Sequence, residues 1–175
     1  MVCKKCGKLV SMESRFCGYC GTKLYARNPT LIEGRKYFML GDYATALKLY
    51  EEACQLEPND PETLRELGHA YLHSRNWDDA CAVYRRALEA GADYADIHFN
   101  LGLIYLLQSE LPEAIQQLTV ALKIKNEYKS GKYYLGLFYP QKEYYLADVY
   151  LYRGIARRTS NETQLAIEDF KLSVQ

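Results

Sequence analysis

Residues 61–94 read PETLRELGHAYLHSRNWDDACAVYRRALEAGADY, and their spacing decides the fold. Two apolar-periodic stretches of about 13 residues flank a polar break at Ser74, Arg75 and Asn76. Apolar residues that recur every three or four positions mark amphipathic helices, so the stretch predicts a helix, a tight turn and a second helix. The same order returns 34 residues upstream and 34 downstream, with breaks at Leu40 to Asp42 and Gln108 to Glu110. Gly34, Gly68 and Gly102 align, as do Tyr37, Tyr71 and Tyr105. So do Ala46, Ala80 and Ala114, then Tyr50, Tyr84 and Leu118, then Ala53, Ala87 and Ala121. Columns that agree at one fixed period are internal repeats, in which each helix pair buries its apolar face against the next. Small residues fall where two helices approach closely, and large aromatics fill the space beside them.

This pattern resembles the tetratricopeptide repeat family, with units at 27–60, 61–94 and 95–128. The resemblance implies an all-α helical-repeat solenoid. The family's usual proline is present at Pro58 and is replaced by Ala92 and Asn126 in the next two units. Glu33 and His98 stand where the family prefers large apolar residues. A partial fourth unit, 147–175, carries Gly154, Ala166, Phe170 and Ser173 at the repeat spacings, with Arg157 in the tyrosine column. It stops short of a full unit, so its end is expected to need a partner, a second copy or cover from the chain itself. An aromatic, glycine-punctuated insert, 129–146, separates it from the third, and Pro140 is expected to open a long helix over about 141–158. Helix starts are expected at Asn28 and Asp60, each a capping residue before a proline, and at Asn76.

Four of the six cysteines lie in the first 20 residues, as Cys3-x-x-Cys6 and Cys17-x-x-Cys20 separated by ten residues. Two thiolates two residues apart can face one ion from a tight turn, and two such turns complete a tetrahedron of about 2.3 Å Zn–S bonds. Gly7 and Gly21 follow the pairs, where positive φ lets the backbone wrap the sulfurs. Two disulfides would fit a secreted mini-protein and a redox Cys-x-x-Cys a βαβ pattern, and neither context is visible. The segment from Cys3 to Leu24 resembles the zinc-ribbon family. The resemblance implies a small β-hairpin module over 1–26, ahead of a repeat domain over 27–175, holding one structural zinc on Cys3, Cys6, Cys17 and Cys20. Cys54 and Cys81 read as small core side chains.

Composition bounds the function. The 22 basic and 22 acidic residues cancel, so nothing draws the whole chain to nucleic acid or anionic membrane. Residues 1–27 hold Lys4, Lys5, Lys8, Arg15, Lys23 and Arg27 against Glu13 alone, a local net of +5. No window approaches the roughly 18 apolar residues of a membrane span, and no apolar leader follows Met1, so a cytoplasmic protein is expected. No phosphate loop, nucleophile elbow or kinase signature appears, and no enzyme is expected. His69 and His73 share a helix face with Glu66 but lack the zinc-protease order, and read as an exposed pair.

The resemblance implies that partners bind the concave face lined by first helices. Its positions are Leu31, Arg35 and Phe38, then Arg65, His69 and Leu72, then Phe99, Leu103 and Leu106, then Leu151 and Ile155. Some family members grip a carboxylate with lysines, an arginine and asparagines there. The matching positions here are Leu31, Arg35, Glu66, Asp96 and Asn100, which do not form that clamp. An adapter that holds a peptide or amphipathic helix is the leading expectation. The alternative is a nucleic-acid-associated factor whose basic ribbon touches phosphates while the repeats bind a protein. A homodimer through the open C-terminal end is a further possibility.

Overall fold

A computed structural model describes residues 5–9, 17–21, 28–124, 132–134, 137–139 and 142–174, and the side chains of all of these except the insert strands and residues 142–145. Eight helices and one short hairpin lie among the described residues. They are α1 (Pro29–Met39), α2 (Tyr43–Leu56), α3 (Pro61–His73), α4 (Trp77–Glu89), α5 (Ala95–Leu107), α6 (Leu111–Lys123), β1 (Lys132–Tyr134), β2 (Leu137–Tyr139), α7 (Lys142–Thr159) and α8 (Thr163–Ser173). The chain divides into compact units over 1–58 and 59–175. In the first, α1 packs on α2. In the second, α3 pairs with α4, α5 with α6 and α7 with α8, and α4 meets α5 as α6 meets α7, the stacking order of a helical-repeat solenoid.

The glycine column sets how closely each pair approaches. A Cβ on Gly34 would meet the Tyr50 ring at 2.6 Å, one on Gly68 the Tyr84 ring at 2.5 Å, one on Gly102 Leu118 at 2.6 Å, and one on Gly154 the Phe170 ring at 2.7 Å. All four lie far inside ordinary contact, so only hydrogen fits. The fourth unit therefore packs as the first three do, despite the insert. The alanine columns are equally closed: Ala46, Ala80, Ala114 and Ala166 are buried, as are Ala53, Ala87 and Ala121.

Each turn within a pair is built the same way. Gly41, Arg75, Ser109 and Asn161 occupy one column, and all have positive φ: 80°, 59°, 62° and 65°. The amide after each donates back to the carbonyl of the tyrosine column: Asp42 to Tyr37 at 3.0 Å, Asn76 to Tyr71 at 2.9 Å, Glu110 to Tyr105 at 2.9 Å and Glu162 to Arg157 at 2.8 Å. This left-handed stop satisfies the last helical carbonyls and turns the chain within two residues. Asn28 and Asp60 cap α1 and α3 through their side chains, accepting from the amides of Thr30 and Thr63 at 3.0 and 2.8 Å. Asn76 makes no such bond, contrary to expectation. Asp42 does cap α2, at 3.1 Å from the Thr45 amide.

The insert holds an antiparallel hairpin, with Tyr133 opposite Phe138, and β2 touches α7. It is the strand content that the all-α expectation did not include. The ribbon's expected hairpin lies largely outside the described residues.

Candidate functional site

Cys6, Cys17 and Cys20 come together, their sulfurs all within 4.8 Å of one another. Cys6 and Cys17 are 3.5 Å apart at Sγ, well beyond the roughly 2.05 Å of a disulfide and near the separation of two thiolates on one tetrahedral zinc. Gly7 and Gly21 take φ of 70° and 66°, and the Gly21 amide donates to the Cys17 carbonyl at 2.8 Å, closing the knuckle. The donor set fits a soft divalent ion. Cys3, the expected fourth ligand, lies outside the described residues. Lys8 sits 5.9 Å above the exposed ring of Tyr19, so part of the ribbon's basic charge rests on an aromatic face.

The expected groove residues divide by burial. In the first unit Leu31 is buried, while Arg35 and Phe38 are half-buried, with the Phe38 ring against Tyr43 at 5.1 Å. In the second unit Arg65 and Leu106 are half-buried, and His69, Leu72, Phe99 and Leu103 are buried. Leu151 and Ile155 are exposed. Phe99 and Leu103 belong to a core cluster with Leu118, Leu122 and Val149, and Tyr150 and Tyr152 pack against it. They offer a partner no free surface as the chain stands. The reading of Phe99, Leu103, Leu106, Leu151 and Ile155 as one open apolar surface is therefore corrected: the first two are core.

What the first-helix face of α3 and α5 carries is polar. The buried Asp96 accepts from Arg65 Nε at 2.5 Å, and Arg65 also stacks on Tyr94. His69 lies between Glu66, 3.7 Å from its Nδ1, and Asp96, 3.9 Å from its Nε2. Its ring meets Tyr84 edge-on at 5.8 Å. Asn100 donates to the Tyr84 hydroxyl at 3.0 Å. Burial, then the Asp96 carboxylate, pushes the Tyr84 hydroxyl well above its usual range, so it stays protonated. His69 Nε2 and the Asn100 carbonyl oxygen are both buried without a hydrogen bond. Glu66, His69 and His73 do not gather as a metal site, because the one metal-holding cluster among the described residues is the cysteine one. His73 is half-buried, not the exposed partner of an open pair. The sequence signal for this cluster was available. Asp96 and Asn100 lie four apart on a helix that, His98 aside, is mostly apolar, and buried polar groups require partners.

The comparisons agree with this architecture. Family models for the tetratricopeptide repeat match residues 65–128 and 34–74, and a zinc-ribbon domain matches 2–24. The chain is 41% identical over 68 residues to the photosystem I assembly protein Ycf3 of Synechococcus sp. (strain CC9605), covering 37% of this chain and 39% of that protein. It is 31% identical over 107 residues to the BBSome complex member BBS4 of Bos taurus, covering 61% of this chain and 20% of that one. The chain thus spans well under half the length of either relative. A crystal structure of MamA superposes with a TM-score of 0.65 over 81% of this chain and 72% of its own, at 23% identity, a likeness of fold. The chain belongs to the tetratricopeptide repeat family and carries a zinc-ribbon domain at its N-terminus.

Proposed function

We propose that the protein is a non-enzymatic adapter whose repeats hold an extended segment or helix of another protein along their first-helix faces, while one zinc on Cys3, Cys6, Cys17 and Cys20 keeps the ribbon folded as an accessory contact. The observation that carries this reading is the α3/α5 cluster. There the half-buried Arg65 and Glu66 gather with His69 and Asp96 on the first-helix face. A partner's main-chain groups can hydrogen-bond to charged, part-exposed side chains of this kind, and such bonds contribute about 1.5–3 kcal/mol each. Glu66, Asp96 and Leu31 stand where a carboxylate clamp would need cations and amides, so the partner's contact is a chain segment with its own donors, not a free C-terminal carboxylate. Two relatives, a photosystem I assembly protein and a member of the BBSome complex, support an assembly role of this kind.

The test is capture from source-cell lysate by wild type and by a Glu66→Lys, His69→Ala double variant that keeps its helical circular dichroism. Loss of the captured proteins from the variant is the expected result, and an identical set would overturn the groove reading. The basic ribbon favours one alternative, nucleic-acid association. Titration with a single-stranded oligonucleotide at low and moderate salt separates the two, since phosphate contacts lose affinity steeply with salt.

A further inference from the structure

The two knuckles that carry Cys6, Cys17 and Cys20 are thinly covered. A Cβ built on Gly7, Gly18 or Gly21 meets nothing within 4 Å, and Lys5, Lys8 and Tyr19 beside them are exposed. Cys6 is half-buried, whereas Cys17 is 1% exposed, so a small solute reaches Cys6 far more readily. The two residues come from different knuckles, yet their sulfurs lie 3.5 Å apart, and about 1.5 Å of closure brings them to bonding distance. Cys54 and Cys81 stand elsewhere, on α2 and α4. The Cys54 thiol faces the Pro58 carbonyl at 3.9 Å, and the buried Cys81 thiol faces the Tyr105 hydroxyl at 3.8 Å.

We propose that Cys6 and Cys17 are a peroxide-sensitive pair: a hydroperoxide oxidises Cys6, Cys17 closes a disulfide with it, and the ribbon gives up its zinc. The proposal rests on the zinc reading above, in which the ligand sulfurs are thiolates. With hydrogen peroxide as oxidant, the Cys6 thiolate attacks one peroxide oxygen. An S–O bond forms, the O–O bond breaks, hydroxide leaves, and Cys6 becomes a sulfenic acid. The Cys17 thiolate then attacks the Cys6 sulfur. The S–S bond forms, the S–O bond breaks, and a second hydroxide leaves. Two thiolates have lost two electrons in all, and the peroxide has gained them. Joined in a disulfide, the two sulfurs no longer serve as thiolate ligands, and the site keeps only two of its four donors. The ribbon's accessory contact is thus withdrawn by peroxide and restored by reductant and zinc.

The experiment treats the full chain, purified with its metal, with stepwise equivalents of hydrogen peroxide beside a colorimetric zinc indicator. One zinc is expected in solution for every two thiols lost. Trypsin without reduction then maps the link, because Lys4, Lys5, Lys8, Arg15 and Lys23 place Cys3, Cys6 and the Cys17 and Cys20 pair on three separate peptides. The expected product joins residues 6–8 to residues 16–23, fragmentation sets the bond at Cys17, and a phosphine reductant with added zinc reverses it. Cys6→His keeps four donors of a kind that zinc accepts but removes the reacting thiol, so this variant should hold its zinc at the peroxide dose that empties the wild type. If that variant fails to take up zinc, the wild-type map still decides. Wild type that keeps its zinc in excess peroxide overturns the proposal. So does a disulfide at any other pair of ribbon cysteines, or oxidation past the disulfide to sulfinic acid. Each of these results leaves the zinc reading standing, whereas protein purified without zinc overturns both.

Discussion

Ser109 holds a φ of 62° in a column where the first unit places Gly41. A side chain in this left-handed region costs about 1–2 kcal/mol, offset in part by the greater chain entropy that glycine carries into the unfolded state. Ser109→Gly is expected to raise the urea midpoint, by about 0.5–1 kcal/mol of stability. The reverse change, Gly41→Ala, should lower it by about 1 kcal/mol, because a Cβ there meets nothing within 4 Å and the cost is purely conformational. Gly102→Ala tests the other kind of glycine. Its new methyl would lie 2.6 Å from buried Leu118 and 3.3 Å from that residue's backbone nitrogen, so about 1–3 kcal/mol should be lost through overpacking. An unchanged midpoint for Gly102→Ala would mean that the helix pairs are not in this register. The close-approach column was legible in the sequence because each small residue is tied by a constant interval to one large residue. The left-handed column was not, since Gly41, Arg75, Ser109 and Asn161 share a backbone shape and no side-chain chemistry. Asn76 was legible as a helix start, but its residue type does not fix the rotamer that a side-chain cap requires.

The fourth helix pair replaces apolar columns with charge. Arg153 stands where Leu67 and Leu101 stand in earlier units, Asp169 where Val83 and Gln117 stand, and Arg157 in the tyrosine column. The buried Asp169 accepts from Arg153 at 2.9 and 2.5 Å and from Arg157 at 2.8 Å, and Arg153 also donates to Thr119 of α6 at 3.3 Å. One substitution in the column thus implies the other two. Asp169→Ala leaves two guanidinium groups packed without their anion, and about 3–5 kcal/mol should be lost in chemical denaturation. A loss within the range of an exposed salt bridge, under about 1 kcal/mol, would show that the triad is solvated. Near the end of α3, burial and then His69 hold the His73 imidazole below its usual range. A depressed folded value means that the folded state disfavours the proton. The contribution is complete above the unfolded histidine pKa of about 6.5 and is lost as pH falls through the folded value. Denaturation midpoints should therefore drop between pH 7 and pH 5, and His73→Gln should flatten that slope. The hairpin is the element that periodicity missed. Tyr133, Tyr134, Phe138 and Tyr139 are strong strand formers, but strands of three residues are too short for a period of two to show against a helical background.

At the scale of the whole molecule, the helical pairs and the ribbon were readable because both rest on fixed intervals, while the groove was not. Position along a first helix cannot say whether a residue meets solvent or the next unit, and Phe99 and Leu151 occupy the same position with opposite fates. Metal dependence follows a similar division. Among the described residues, the cluster around Cys17 contains only Cys6 and Cys20 beside it. Structural zinc supplies about 10–16 kcal/mol in modules of this kind, far more than so few apolar contacts can replace. The repeats depend instead on buried columns of alanine, tyrosine and leucine that contain no ligand. Purified protein should hold about one zinc per chain, and Cys17→Ala should abolish it. Chelation should then expose the Cys6, Cys17 and Cys20 thiols to a colorimetric reagent while the helical circular dichroism stays nearly constant. The compact unit over 1–58 takes in the sequence of both the ribbon and α1 with α2, so those two helices are where any loss should begin. Loss confined to their share of the signal would mean that the ribbon braces the first pair. Collapse of the whole helical signal would make zinc a condition for folding the entire chain.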